Sequence, residues 1–152
     1  MDDLRVGLTL PTFSTESDRL VAVARSAEQR GLDGVFTYDH LFRLSAAGDL
    51  RPALALEPVL GLLAAKTHRI VFGSLVARAT VRRAAVLRLV LDTVERMAPG
   101  RLVAGIGSGD RESDPEQAMF GLIPEDPALR LSALERTLDS VTGRGYPVWV
   151  GG

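Results

Sequence analysis

Five short runs of apolar and β-branched residues recur along the chain: Val6-Gly-Leu-Thr-Leu10, Gly34-Val-Phe-Thr-Tyr38, Ile70-Val-Phe-Gly-Ser-Leu-Val76, Leu102-Val-Ala-Gly-Ile106 and Val148-Trp-Val150. None alternates apolar with polar positions, so each predicts a strand buried on both faces. The segments between them carry helical spacing instead. The first predicts a helix with Ser17 or Asp18 as N-cap, Leu20, Val21, Ala24 and Ala27 on one face, and Gly31 as the stop. The second opens at Glu57-Pro58, where proline suits the first helical position, and buries Val59, Leu60, Leu62 and Leu63 before Thr67. The third presents Val86, Leu89, Val90, Thr93 and Met97 and is ended by Pro99-Gly100. The fourth starts at Asp126-Pro127, repeats Leu131, Leu134, Leu138 and Val141, and stops at Gly143. Strand then helix, four times over, then a fifth strand: the pattern predicts a parallel α/β protein.

Two architectures use such a string, an open five-stranded flavodoxin-like sheet and part of an eight-stranded (β/α) barrel. Strand starts at Val6, Val35, Ile70, Leu102 and Val148 are 29, 35, 32 and 46 residues apart, close to the ~31 per unit of a ~250-residue barrel. Spacing alone leaves both open. Four and a half units also fall short of a closed barrel. The stretch Leu44-Ser-Ala-Ala-Gly-Asp-Leu50 predicts a mobile loop after the second strand.

Composition narrows the function classes. The 152 residues, 46% of them hydrophobic, suffice for one domain spanning 1–152. Absence of cysteine removes disulfides, thiolate nucleophiles and Cys-ligated metal clusters. A formal net charge of −1 excludes nucleic acid or an anionic membrane as the main partner. Of the 18 basic residues only Lys66 is lysine, a bias that fits a GC-rich genome better than phosphate binding. No stretch approaches the ~20 apolar residues of a membrane span, and Met1-Asp2-Asp3 begins acidic where a signal peptide is basic. The expectation is a soluble, cytoplasmic protein.

In parallel α/β folds ligands gather at the carboxyl ends of strands. That rule separates the two histidines. His40 follows the second strand directly in Tyr38-Asp39-His40 and belongs to the functional rim, whereas His68 precedes the third strand and belongs to the structural face. An adjacent Asp and His can hydrogen-bond a planar heterocycle and relay a proton, but two such residues do not make a metal site. The fourth strand runs into Gly105-Ile-Gly107-Ser-Gly109-Asp110-Arg111-Glu112. Its glycines allow close backbone approach to a ligand, and Asp110, Glu112, Asp114 and Glu116 offer general acids or bases; a flexible turn with a solvated acidic loop is the plainer alternative. The spacing G-x-G-x-G is not the dinucleotide fingerprint, and no P-loop, nucleophile elbow or HExxH is present. Tyr38, Phe42 and Trp149 are too few for a stacking platform and fit core or pocket lining.

Taken in order, these pieces resemble a known family. They are an apolar strand with Gly7 and Pro11, Ala27-Glu28-x-x-Gly31-Leu-Asp33-Gly-Val, Tyr38-Asp39-His40, Glu57-Pro58, Leu63-Ala-Ala-x-Thr67-x-Arg69-Ile70, Gly73-Ser-Leu-Val76, Gly100-Arg101 leading to Gly105-Ile-Gly107-Ser-Gly109, Phe120-Gly121 and Pro147-Val-Trp-Val-Gly151-Gly152. The sequence resembles the bacterial luciferase-like family of flavin monooxygenases and coenzyme F-420 (deazaflavin) dependent oxidoreductases. The resemblance implies a (β/α)8 TIM-type barrel, of which this length is roughly the N-terminal half. It implies hydride transfer with coenzyme F-420, or oxygen activation on reduced FMN, acting on a small organic substrate.

Carried over by residue, the resemblance places Asp39 and His40 against the reactive edge of the ring, with His40 relaying the proton. It places a non-prolyl cis peptide at Leu75-Val76, within the Ser74-Leu75-Val76 strand end, as a bulge behind the ring. Asp110 takes the place of an acid that is glutamate in several deazaflavin members. Gly107 and Gly109 border the cofactor, and Gly151 and Gly152 offer backbone N–H groups to its ribityl or phosphate portion. The pairing of Asp39 with His40 favours the deazaflavin over FMN. The open sheet edges of a half barrel lead to two further expectations: a homo-oligomer or a missing C-terminal half that completes the sheet, and, as an alternative to an enzyme, a catalytically silent binding and self-association module.

Overall fold

In the computed structural model, which describes residues 4–44, 48–122 and 126–151, the five predicted strands form one parallel sheet. They are β1 (Gly7–Thr9), β2 (Gly34–Thr37), β5 (Val71–Arg78), β6 (Leu102–Gly107) and β7 (Val148–Gly151), paired in the order β1-β2-β5-β6-β7. Neighbours in space are therefore neighbours in sequence, which removes the flavodoxin-like alternative, whose order reverses at its centre. Helices α1 (Ser17–Gln29), α2 (Leu56–Lys66), α3 (Ala84–Met97) and α5 (Pro127–Val141) make the crossovers. α1 packs on α2, α2 on α3 and α3 on α5, so the helices line a single face, as in a barrel wall. Leu20, Leu60, Leu63, Leu87 and Leu91 from the helices meet Val35, Phe72, Leu102 and Ile106 from the strands in one core, all fully buried.

The central strands are buried on both faces, but the edge strands are not. β2 and β6 are buried throughout, whereas every residue of β1 is exposed and β7 is at best half-buried. An edge strand lacks a neighbour on one side, and apolar patterning carries no information about which strand ends up there. On the face away from the helices Phe36 packs against Trp149 at 5.3 Å between ring centroids. Val6, Leu8 and Leu75 remain exposed.

Four sequence expectations need correction. The first helix is capped at Glu16, with Ser17 and Asp18 inside it. α2 begins at Leu56, one residue early, which puts Pro58 in its first turn, where no intrahelical N–H bond is lost. α3 buries Leu87, Leu91 and Val94, while Val86, Leu89 and Met97 of the predicted stripe are 49%, 62% and 52% exposed. α5 is rotated in the same way: it buries Arg130, Ala133, Thr137 and Val141 and leaves Leu131 exposed. Both helices carry two apolar stripes, and packing against the sheet selects between them.

Two elements had no sequence forecast. On either side of the stretch Leu44–Leu50 read as a mobile loop, β3 (Phe42–Leu44) pairs antiparallel with β4 (Leu50–Pro52); residues 45–47 lie outside the described residues. The acidic stretch after the fourth strand of the sheet is a helix, α4 (Asp114–Met119).

Candidate active site

Each strand of the sheet delivers its carboxyl end to one rim, and most of the expected site residues collect there. His40 stands three residues beyond β2 with its side chain about one-third exposed. Its ring lies 5.4 Å from that of Phe13 and 6.2 Å from that of Tyr38. Its Nδ1 is 2.9 Å from Oε1 of Glu116, a buried side chain on α4. Glu116 is saturated by further donors. Oε2 accepts the backbone N–H groups of Leu41 (2.9 Å) and Phe42 (3.2 Å), and Oε1 is also bonded by Nη1 of Arg78, the buried residue that ends β5. Burial opposes the charge on Glu116. The hydrogen bond from His40, the Leu41 amide, the Arg78 guanidinium and the Phe42 amide outweigh it and hold the carboxyl down at about 2.

Asp39 is held by two arginines. Its side chain is buried, its Oδ2 accepts the Arg78 N–H at 2.8 Å, and Arg82 grips both oxygens at 2.6 and 2.9 Å. Arg82 in turn bonds Glu57 at 2.7 Å. These bonds anchor the β2–β3 connection to the end of β5. Asp110 is exposed, and its Oδ1 accepts the N–H (2.8 Å) and hydroxyl (3.0 Å) of Ser113 in the turn before α4. Ser74 is fully buried and donates its hydroxyl to the Gly105 carbonyl at 2.8 Å, which ties β5 to β6 behind the rim.

The strand end beside Ser74 has the expected form. The Leu75–Val76 peptide is cis, and the β5–β6 register slips between Ser74 and Ala77, so the pair bulges from the sheet. Room for it is made by glycine: a Cβ on Gly107 would lie 2.4 Å from Val76 Cγ2. Gly109 has φ +78°, a conformation that L side chains rarely adopt. Gly152 lies outside the described residues.

Two cavities open on this rim. The smaller, of about 220 Å³, is lined by Leu75, Val76, Gly107, Ser108, Gly109 and Gly151, with Tyr38, Asp39, His40, Arg78 and Asp110 at its border. The larger, of about 600 Å³, lies between the β3–β4 hairpin and α4, and its wall includes Phe13, Phe42, Arg43 and Glu112. Tyr38, His40 and Asp110 line both. A wall of backbone and apolar side chains with the titratable groups gathered at its border suits a planar heterocycle. Beside it the buried Nη2 of Arg78 has no hydrogen-bond partner. Among the described residues no group of three or more His, Asp or Glu is placed to hold a metal ion, and no helix is long and apolar enough to cross a membrane.

Arg78 and Arg82 had no place in the sequence-level site, and Glu116 was one of four equivalent acids. The overlooked signal was Arg78 itself: a charge closing an apolar strand run has to be paired if it is buried. Attributing the arginine content to codon bias concealed it.

Parallel βα units in sequential order, with their polar residues gathered at the strand ends, define part of a (β/α)8-barrel protein. The luciferase-like monooxygenase family model matches residues 4–143, and the chain belongs to that family. It is 30% identical over 149 residues to an F420-dependent glucose-6-phosphate dehydrogenase of Nakamurella multipartita, a match that covers 97% of this chain and 41% of the relative. The chain thus spans about two fifths of the length of that curated relative. Among solved structures it superposes on an F420-dependent secondary alcohol dehydrogenase in complex with an F420-acetone adduct (TM-score 0.73, 17% identity, 91% of this chain and 41% of that one). It superposes equally on a riboflavin lyase with modified FMN (TM-score 0.73, 16% identity, 92% and 37%). At these identities the structures show the fold, a partial TIM barrel.

Proposed function

We propose that this chain forms the cofactor-facing part of an oxidoreductase that transfers hydride between a small organic substrate and coenzyme F-420. The observation that carries this is the position of His40, on the boundary between a small glycine-walled cavity and a larger one, with its ring held by Glu116. The cofactor residues are Leu75, Val76, Gly107, Gly109 and Gly151, with Gly152 and, behind the bulge, Ser74. When bound, the deazaflavin accepts or donates the hydride. His40 holds or moves the accompanying proton at Nε2, the ring nitrogen that Glu116 does not engage. Asp39 acts on His40 through the backbone it anchors, and Asp110 supplies a second carboxylate at the same boundary. The F420-dependent relatives support the deazaflavin; a likeness to an FMN-containing structure favours reduced FMN and oxygen activation as the second reading.

Titrating the protein separately with coenzyme F-420 and FMN, and following cofactor fluorescence, tests the assignment. Binding of F-420 is expected, and binding of FMN alone overturns it. His40→Ala is expected to leave cofactor affinity nearly unchanged and to slow turnover by about 10²–10⁴-fold, the usual worth of a positioned acid or base. The exposed edges of β1 and β7 are read as pairing edges for further βα units, from the same polypeptide or a second copy. A cytoplasmic location fits a reduced deazaflavin or flavin.

A further inference from the structure

The partners of Glu116 determine more than its position. Arg78 Nη1 and the backbone amides of Leu41 and Phe42 can only donate hydrogen bonds. A carboxylate surrounded by three obligate donors has no proton of its own to give. The hydrogen in its 2.9 Å contact with His40 therefore belongs to the imidazole Nδ1. Taking the proposed oxidoreductase as its frame, we infer that Glu116 is the positioning residue that fixes neutral His40 as the Nδ1–H tautomer, so that the atom His40 presents at the boundary of the two cavities is the proton-accepting Nε2 lone pair.

An unconstrained histidine favours the opposite tautomer, with the proton on Nε2, and would present a donor there instead of a base. A carboxylate that orients a histidine through one nitrogen leaves the chemistry to the other. The surrounding charges support the same state. From β5 and the loop after it come Arg78 and Arg82, from the segment after β2 Asp39, from α2 Glu57, from α4 Glu116, and from the cavity rim Arg43, Asp110 and Glu112. Arg78 and Arg82 are consumed by Glu116, Asp39 and Glu57. No cation among these faces His40 Nδ1, and among the described residues the Glu116 carboxylate is the charge in contact with it.

The test needs no cofactor. The chain has two histidines, so long-range nitrogen-15 to proton correlation spectra of the labelled protein resolve both rings, with exposed His68 as the internal reference. In the neutral ring His40 is expected to show a protonated Nδ1 and a bare Nε2, while His68 shows the Nε2–H tautomer. Glu116→Gln, which keeps the shape but removes the charge, is expected to move His40 toward the His68 pattern. Glu116→Asp is expected to retain the wild-type tautomer in part. A dominant Nε2–H form of His40 in the wild-type protein overturns the inference, and so does a Glu116→Gln variant with an unchanged His40 signal. The wild-type spectrum decides even if both variants fail to fold. Failure of F-420 binding would remove the proposed function and leave this result standing.

Discussion

Each end of the sheet carries one glutamate that collects backbone amides. At the amino end Glu28, the penultimate residue of α1, accepts through Oε1 the N–H groups of His68, Arg69 and Ile70 at 2.9, 2.6 and 2.9 Å. At the carboxyl end Glu116 accepts those of Leu41 and Phe42. Burial opposes both charges, and in both cases the amides and nearby charge prevail and hold the carboxyl at about 2. The difference lies in the remaining partners. The hydrogen bonds to Glu28 Oε1 come from backbone amides, and they fix the entry into β5. Glu116 adds a buried guanidinium and one imidazole that faces a cavity. The same kind of anion thus braces the entry of a strand at one end and holds an imidazole beside a cavity at the other.

Removing each carboxylate breaks the comparison, with unequal cost. Glu116→Ala leaves the buried Arg78 guanidinium uncompensated and is expected to lower the unfolding free energy by about 3–5 kcal/mol in urea titration. Acid removes both charges without removing the side chains. Each carboxyl sits below its ordinary value of 4.5, so its contribution is complete above that pH and is lost as pH falls toward about 2. Urea midpoints recorded across that window are expected to fall progressively, and Glu28→Gln is expected to flatten part of the slope and leave the rest to Glu116. Glu28→Ala is expected to cost about 1–2 kcal/mol, because His68 and Arg69 are exposed and water can replace the carboxylate at their amides. The smallest effect belongs to His68→Ala. Glu28 bonds the backbone of this residue, so stability is expected to change by less than about 0.5 kcal/mol.

Sequence patterning reached the sheet well and the site unevenly. Five apolar runs located all five strands of the sheet, because consecutive buried positions in a parallel sheet leave a continuous signal. Their order in space, and the exposure of β1 and β7, depended on contacts that no local pattern encodes. Helix faces were misassigned where two apolar stripes competed, as at Leu87 against Leu89. His40 was legible from its place after a strand, and the Leu75–Val76 cis peptide from resemblance alone. Glu116 was not distinguishable from Asp110, Glu112 and Asp114, since its role depends on a helix that brings it back over His40. The partner that holds Asp39 was out of reach of any local pattern, because Arg82 lies 43 positions away.

The contact between His40 and Glu116 joins residues 76 positions apart, and that separation has a bearing on assembly. Loop closure of this span must be complete, with β5 and β6 already paired, before the imidazole acquires its orientation. The orientation of the imidazole is thereby a long-range property that neither the segment after β2 nor α4 can supply alone. Hydrogen exchange at the Leu41 and Phe42 amides, which Glu116 protects, would time that step directly.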